Sequence, residues 1–215
     1  MSKVIVTTSW DDGYKLDLKL ADLLWKYGIQ ATFYIAPQNR EFAQEQLLNA
    51  KQIRILSQKF EIGAHTLTHP HLSDLESDTA YSEIVNSKNM LEQTVSKTVS
   101  SFCYPAGLYT LENISQVKMA GFKLARTTKR FSTYPLTKPF ELATTVHVYN
   151  HFFNPSWDRL AIDLFDKVLE SGGIYHLWGH SWEIEKYHDW QKLEKVFRYI
   201  GKKNNVSYLT NQELL

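Results

Sequence analysis

Short apolar segments rich in β-branched residues alternate with helical patterns along the chain, and this alternation restricts the possible folds more than any other feature. Residues 3–8 are predicted to form the first strand, because they are β-branched, few and without helical period. A helix is predicted over residues 16–27, where apolar side chains recur at helical spacing before Gly28. Strict alternation of strands and helices predicts parallel βαβ units.

The same patterns recur to the end of the chain. Further strands are predicted at residues 31–36, 60–64, 101–104, 122–127, 143–148, 174–178 and 206–209, and further helices at 42–58, 77–97, 111–117, 157–169 and 190–200. No linker, repeat or low-complexity segment interrupts them, so we predict one domain over residues 1–215. With seven to eight mostly parallel strands, a distorted (β/α) barrel is favoured. An open doubly wound sheet is the alternative, since periodicity cannot show closure.

Composition narrows the class of protein. Lys and Arg number 24 against 23 Asp and Glu, so no nucleic-acid or membrane partner is indicated. No segment has the length and apolar character needed to span a bilayer. A single cysteine, Cys103, excludes an intrachain disulfide, and no leader peptide precedes the first strand. We therefore expect a cytoplasmic protein, with its oligomeric state open.

Two polar clusters follow predicted strands. Asp11 and Asp12 end the first strand, where two buried carboxylates would repel each other unless a cation or a proton shares the site. A helix cap beside a solvated Asp would be the simpler interpretation of that pair alone. His65 and His69 follow the third strand, and their spacing puts two imidazoles on one side of a helical turn. Two His and one Asp leave metal positions open, as in a catalytic site, and the second Asp can act as a base.

Four motifs resemble those of the polysaccharide deacetylases, carbohydrate esterase family four. They are Ser-Trp-Asp-Asp-Gly at 9–13, His-Thr-Leu-Thr-His at 65–69, Phe-Cys-Tyr-Pro-Ala-Gly at 102–107 and Leu-Trp-Gly-His at 177–180. The resemblance implies a distorted (β/α) barrel. It also implies a metal-dependent hydrolase that removes an N-acetyl group from an amino sugar or glycan, with a metal-bound water as nucleophile.

The same resemblance assigns residue roles. Asp12, His65 and His69 would bind a divalent metal; zinc is expected, and cobalt, nickel and manganese are the alternatives. Asp11 would be the general base, and His180 the general acid that protonates the leaving amine. The backbone N–H of Ala106 would help to hold the tetrahedral oxyanion, and a backbone donor does not depend on the side chain.

The chain departs from the family pattern at two places. An Arg that usually pairs with the base Asp is replaced by Cys103, and Arg126, at the end of the next predicted strand, is the best substitute. An ordinary surface salt bridge is the other interpretation of Arg126. The usual acidic-Trp motif is missing, and residues 144–147 occupy its region. His176 is therefore an alternative acid to His180.

Other functions stay open at this stage. A hydrolase for a small cyclic amide or formamide would use the same metal site, and a catalytically silent relative would bind carbohydrate without turnover. Four aromatic residues are candidates for stacking on a sugar ring: Tyr109, Trp178, Trp182 and Trp190. The sequence does not specify the sugar or the polymer length.

Overall fold

Strands and helices alternate in the structure, a computed structural model that describes residues 3–152 and 156–215. The strands in these ranges are β1 Val4–Asp12, β2 Thr32–Ile35, β3 Glu61–Ala64, β4 Ser101–Cys103, β5 Leu124–Arg126, β6 Val146–His147, β7 Gly173–Gly179 and β8 Val206–Tyr208. The helices there are α1 Asp17–Tyr27, α2 Ala50–Leu56, α3 Ser77–Val95, α4 Leu111–Met119, α5 Trp157–Ser171, α6 Ser181–Lys186 and α7 Trp190–Ile200.

The strands form one sheet in the order β5-β4-β3-β2-β1-β7-β6, and every paired strand is parallel. β1 is central: it pairs with β7 along most of its length, with β8 at its start and with β2 at its end. At the far edge, Arg126 of β5 forms a parallel bridge with Leu142, and the same segment continues into β6 beside β7. This segment curls the sheet, so the fold is the predicted distorted (β/α) barrel rather than an open sheet.

The core lies inside the sheet and beneath the helices. Trp10 on β1 is fully buried and meets Phe197 of α7 edge to face, with ring centroids 6.0 Å apart. Trp157 and Phe165 of α5 are also fully buried. Each such side chain stabilises the fold by about 1.5–3 kcal/mol relative to an exposed one. This packing fixes β1 and β7, whose carboxyl ends carry Asp11, Asp12 and His180.

The helix predicted over residues 42–58 is wrong in its first half. Gln44–Gln46 forms a single 3₁₀ turn, and α2 begins only after Asn49, whose side chain accepts the N–H of Gln52. Between them, the Leu48 N–H donates to the carbonyl of Gly13, and Leu47 bridges Tyr14. These contacts with the loop after β1 replace the helical hydrogen bonds that local spacing had suggested.

Two further features concern the helices. The short helix α6, directly after β7, was not predicted, because six residues carry too little periodicity to be recognised. No helix within the described ranges combines the length and apolar character that crossing a membrane requires.

Candidate active site

A cleft of about 440 Å³ opens at the carboxyl ends of the strands. It is lined by carboxylates, histidines, aromatic rings and one arginine: Asp11, Asp12, Glu41, His65, His69, His71, Tyr104, Ala106, Thr128, Arg130, His147, His151, Trp178, His180 and Trp182. Four other surface cavities among the described residues are of similar size, but none of them contains a motif residue. The cleft is therefore where the chemistry-bearing residues from distant parts of the sequence meet.

Asp12, His65 and His69 converge on one point in this cleft. The Nε2 atoms of the two histidines lie 3.1 Å apart. Asp12 Oδ1 lies 3.7 Å from Nε2 of His65 and 3.3 Å from Nε2 of His69. Asp12 Oδ1 is buried and has no hydrogen-bond partner among the described residues. Two imidazole nitrogens and one carboxylate oxygen at such separations fit the coordination of a divalent cation.

The opposite side of each of these groups is held by a neighbour. His65 Nδ1 lies 2.8 Å from the carbonyl of Cys103, and His69 Nδ1 lies 2.8 Å from Glu41 Oε1. Trp182 Nε1 donates to Asp12 Oδ2 over 2.7 Å. Such partners fix the ring orientation and leave Nε2 free for a metal. Burial, together with the nearby His69, lowers the pKa of His65 to about 4, so its imidazole is neutral as a ligand must be.

The loop that carries the two histidines is not helical, contrary to the expectation from their spacing. Thr66 and His69 have positive φ angles of 63° and 67°, and the His69 N–H donates to Thr66 Oγ1. Glu83 on α3 accepts the N–H groups of Leu67 and Thr68. Left-handed residues other than glycine are costly and persist where the surroundings hold them, as Glu83 does here. The histidines meet because the loop is folded back on itself.

Asp11 is paired with Arg126 in the floor of the cleft. One guanidinium nitrogen contacts both carboxylate oxygens, and the Arg126 side chain is completely buried, which excludes a surface salt bridge. Its guanidinium lies 4.6 Å from the centre of the Trp178 ring and 5.5 Å from that of Tyr34. Burial alone would raise the pKa of Asp11, but the Arg126 charge and hydrogen bond, together with His65 and His180, outweigh it and lower this pKa to about 2. Asp11 is thus a carboxylate at neutral pH.

Cys103 lies beside this pair without forming part of it. Its Sγ is 3.9 Å from Asp11 Oδ2, and burial raises the pKa of the thiol well above its usual value. A buried thiol with a raised pKa is a poor nucleophile.

His180 faces Asp11 from the end of β7, with Nε2 3.9 Å from Asp11 Oδ2. Its Nδ1 is 2.5 Å from Glu183 Oε2, and the same oxygen is 3.2 Å from His147 Nε2. Burial would lower the pKa of His180, but the carboxylates of Asp12 and Glu183 outweigh it and raise this pKa to about 9. The imidazole is therefore charged at neutral pH and carries a proton on Nε2, toward the cleft.

Sequence reasoning missed Glu183 and His147 as partners of His180. Glu183 lies three residues after His180, a spacing that brings two side chains together at a helix start, and this was the available signal. His147 lies in the stretch that replaces the acidic-Trp motif, and its ring stacks on Trp178 with centroids 3.9 Å apart.

His176, the alternative acid, does not reach the cleft. It is 1% exposed, its Nε2 lies 2.8 Å from Ser9 Oγ inside the barrel, and burial lowers its pKa to about 3. A histidine that is neutral at pH 7 is too weak an acid to protonate an amine, and His176 does not line the cleft.

Ala106 occupies a tight turn at the rim. Its φ is 53°, and its N–H donates no hydrogen bond within residues 3–152 and 156–215. Gly107 follows with φ of 71°, and a Cβ there would lie 2.1 Å from Thr128 Oγ1. The turn therefore needs glycine at 107 and leaves a backbone donor at the cleft.

The four aromatic candidates separate into two pairs. Trp178 and Trp182 line the cleft. Tyr109 stacks on Tyr104 and donates its hydroxyl to Glu141, outside the cleft lining. Trp190 packs against Lys19 on the outside of the barrel.

Comparisons with known proteins agree with the motifs. The Bacillus subtilis protein YxkH, whose name places it among polysaccharide deacetylases, is 26% identical over 130 residues, which are 60% of this chain and 46% of that protein. The peptidoglycan-N-acetylglucosamine deacetylase of Bacillus cereus is 29% identical over 94 residues, 43% of this chain and 32% of that enzyme. The chain thus spans less than half the length of these two relatives.

The fold is shared with solved structures. The chitin deacetylase of Colletotrichum lindemuthianum has a TM-score of 0.69 at 19% identity, covering 100% of this chain and 88% of that one. At that identity the likeness concerns the fold. The sequence model of the polysaccharide deacetylase family matches residues 1–125, which contain the first three motifs. The chain belongs to the polysaccharide deacetylase family.

Proposed function

We propose that this protein is a metal-dependent hydrolase that removes an N-acetyl group from an amino sugar. The observation that carries the proposal is the meeting, in one cleft, of three convergent ligand atoms with an ionised Asp11 and a protonated His180. Family membership supports deacetylation as the reaction class.

Asp12, His65 and His69 would hold the divalent cation, through Oδ1 and the two Nε2 atoms. When bound there, a zinc-type cation lowers the pKa of water to about 7 and polarises a carbonyl. Zinc suits this donor set, with cobalt, nickel or manganese as alternatives. Glu41, Trp182 and the Cys103 carbonyl keep the three ligand groups aimed at the same point.

Asp11 would take the proton from the attacking water. It is ionised and is not one of the three convergent ligands. Arg126 keeps the carboxylate charged and prevents its rotation, because one guanidinium nitrogen contacts both oxygens. Arg126 is a positioning residue in this scheme, since it is buried beneath Asp11 and does not line the cleft.

His180 would protonate the departing amine. The nitrogen of an amide is a poor leaving group until it is protonated, so a positioned acid contributes on the order of 10²–10⁴-fold. Nε2 of His180 faces Asp11, while Nδ1 is held by Glu183. Base and acid therefore lie on adjoining sides of the same small space, as hydrolysis of one bond requires.

The N–H of Ala106 would donate to the oxyanion that forms when the acetyl carbonyl is attacked. A fixed backbone donor aimed at developing charge is worth about 10²–10³-fold in comparable sites. Trp182, which is half-buried in the lining, supplies a flat apolar surface against which a sugar ring can pack, whereas Trp178 is buried under His147. An N-acetylated carbohydrate fits both features.

The test is acetate release from N-acetylated sugars by protein whose metal content has been measured. Asp11→Asn should lower turnover by at least about 10²-fold with metal content unchanged, whereas Asp12→Asn should lose the metal. Loss of metal in Asp11→Asn would contradict the division of roles between the carboxylates. Turnover of small cyclic amides but not of N-acetyl sugars, or sugar binding without any turnover, would overturn the proposal.

A further inference from the structure

We propose that Arg130 selects substrates that carry an anionic group, a phosphoryl or a carboxylate, on or beside the N-acetylated sugar. The inference rests on the proposed function, because it names the class of sugar that the same cleft would accept.

Arg130 is the permanently charged side chain of the cleft lining, and its partners among the described residues include an aromatic ring but no carboxylate. The three carboxylates of the lining are engaged: Asp11 by Arg126, Asp12 by Trp182 and Glu41 by His69. Arg130 makes no hydrogen bond or ion pair within the part of the chain that the structure describes. The neighbouring Lys129, by contrast, pairs with Glu141 over 3.1 Å.

The backbone around Arg130 is fixed rather than loose. Thr144 donates its N–H to the carbonyl of Lys129 over 2.7 Å, and the N–H of Phe131 donates to the carbonyl of Thr145 over 3.0 Å. Phe131 has a φ of 66°, and its ring lies 5.5 Å from the Arg130 guanidinium. The guanidinium is therefore presented at the rim by a segment hydrogen-bonded on both sides to the strand region before β6.

The Arg130 charge acts on a neighbouring residue of the cleft lining, His151. Burial and the Arg130 charge both lower the pKa of His151, another lining residue. His71, also in the lining, lies 3.4 Å from Asp74, so the carboxylate of Asp74 already has a partner. Guanidinium groups recognise phosphate and carboxylate through two parallel hydrogen bonds, so an anion is the chemistry this position fits.

A neutral chitin-like sugar would leave Arg130 without a partner. Such a sugar gains nothing from the exposed guanidinium, whereas an anionic sugar gains a charge-assisted hydrogen bond. The selectivity should appear mainly in KM, since Arg130 binds a part of the substrate that does not react.

The experiment uses three sugars that differ in the anion: N-acetylglucosamine, N-acetylglucosamine 1-phosphate and N-acetylmuramic acid. The ratio of kcat/KM for each anionic sugar to that for the neutral sugar is measured in the wild type, Arg130→Gln and Lys129→Gln. Lys129→Gln is the matched control, because it removes the same charge from the adjacent, paired side chain. We expect Arg130→Gln to lower the ratio about tenfold or more and Lys129→Gln to leave it unchanged. The two anionic sugars show which anion is preferred.

Calorimetric titration of each sugar supplies a readout that does not need turnover. If no sugar is deacetylated but an anionic one binds in an Arg130-dependent way, the selectivity stands and the proposed reaction fails. If neutral and anionic sugars are deacetylated equally well, and Arg130→Gln leaves their ratio unchanged, the reaction stands and the selectivity is overturned. An equal loss of kcat/KM with all three sugars in Arg130→Gln would also overturn it, because the effect of Arg130 would then not depend on the charge of the sugar.

Discussion

Arg126 and Asp11 form a buried ion pair at the bottom of the cleft, whereas the motif resemblance implies that this arginine would stand at position 103, which is a buried cysteine here. The two positions are neighbours: Cys103 on β4 pairs in register with Arg126 on β5. The small Cys103 thiol lies 3.9 Å from Asp11 Oδ2 and leaves room for the guanidinium of Arg126, which extends from β5. The positive charge beside Asp11 is thus supplied by β5 rather than by β4.

Replacing this arginine with an apolar side chain should destabilise the protein. In Arg126→Met, the Asp11 carboxylate stays buried without a counter-charge, and breaking such pairs costs about 3–5 kcal/mol. The pKa of Asp11 is held at about 2, below its value in the unfolded chain. Its stabilising contribution is therefore present above the unfolded pKa and is lost as pH falls toward 2. Urea unfolding at several pH values should show a lower free energy of unfolding for Arg126→Met than for the wild type at pH 7. This difference should become smaller in acid.

Arg54→Met is the control for this variant, because Arg54 lies exposed on α2. Its free energy of unfolding should change by about 0.5 kcal/mol or less. If the two variants behave alike, the Asp11–Arg126 pair contributes no more than a surface charge.

Several parts of the site could be predicted because local sequence contains them. The two Asp residues end a β-branched strand, and the two His residues follow another, so parallel pairing alone brings them to one edge of the barrel. Arg126 was a reasonable candidate on the same ground. The helical turn expected for His65 and His69 was wrong, because Glu83 and Thr66 supply hydrogen bonds that hold a different backbone.

Other parts could not be predicted, since they depend on contacts between distant segments. Glu41 reaches His69 only because its loop is hydrogen-bonded to the histidine loop, through Gln38 N–H to the carbonyl of Leu67. Trp182 was considered a sugar-stacking residue, but its indole N–H donates to Asp12 from a helix too short to recognise. Arg130 had no distinguishing pattern at all, because its significance lies in having no carboxylate partner in the part of the chain that the structure describes.

Glu183 should control the pH range over which His180 is a proton donor. Burial lowers the pKa of His180, whereas Asp12 and Glu183 raise it, to about 9. With the carboxylate removed in Glu183→Gln, this pKa should fall toward its ordinary value near 6.5. Because the acid must be protonated, activity is lost as pH rises through that pKa, so the alkaline limb of the pH–rate profile should move to lower pH.

Glu185→Gln on the same helix is the control for Glu183→Gln, because Glu185 faces Trp190 and Lys19 on the outside of the barrel. Its alkaline limb should coincide with that of the wild type. A uniform loss of rate at every pH in Glu183→Gln, without displacement of the limb, would show that Glu183 supports the loop rather than the charge of His180.

Glu41 should strengthen metal binding without being a ligand. Its Oε1 accepts the Nδ1–H of His69, which fixes the tautomer that leaves Nε2 free, and loss of such a partner typically weakens metal binding by about 10–100-fold. Titration of metal-free Glu41→Gln with zinc should show a drop within that range. Glu45→Gln is the control, because Glu45 is exposed in the 3₁₀ turn Gln44–Gln46, four residues after Glu41, and this variant should match the wild type. Equal affinity in both variants would mean that His69 is oriented by its backbone alone.

Asp17 should destabilise the fold at neutral pH, and its replacement by Asn should therefore stabilise the protein. The carboxyl is fully buried at the start of α1, where Oδ1 accepts the hydroxyl of Ser181 and Oδ2 has no partner in the described ranges. Burial raises its pKa well above the usual value, so the folded state retains a proton that the unfolded chain releases. Below the unfolded pKa both states are protonated; above it, stability falls as pH rises.

Asp17→Asn removes this penalty and keeps an acceptor for Ser181. The free energy of unfolding, measured in urea without added metal, should rise by on the order of 1 kcal/mol at pH 7–8 and should hardly change near pH 3. Asp22→Asn, exposed on the same helix, removes the same charge without burial and should leave stability nearly unchanged at both pH values. If Asp17→Asn raised the free energy of unfolding equally in acid, the difference in stability would come from packing and not from the retained proton. A loss at every pH would mean that the carboxyl holds α1 and the loop of His180 together more strongly than its burial penalises it.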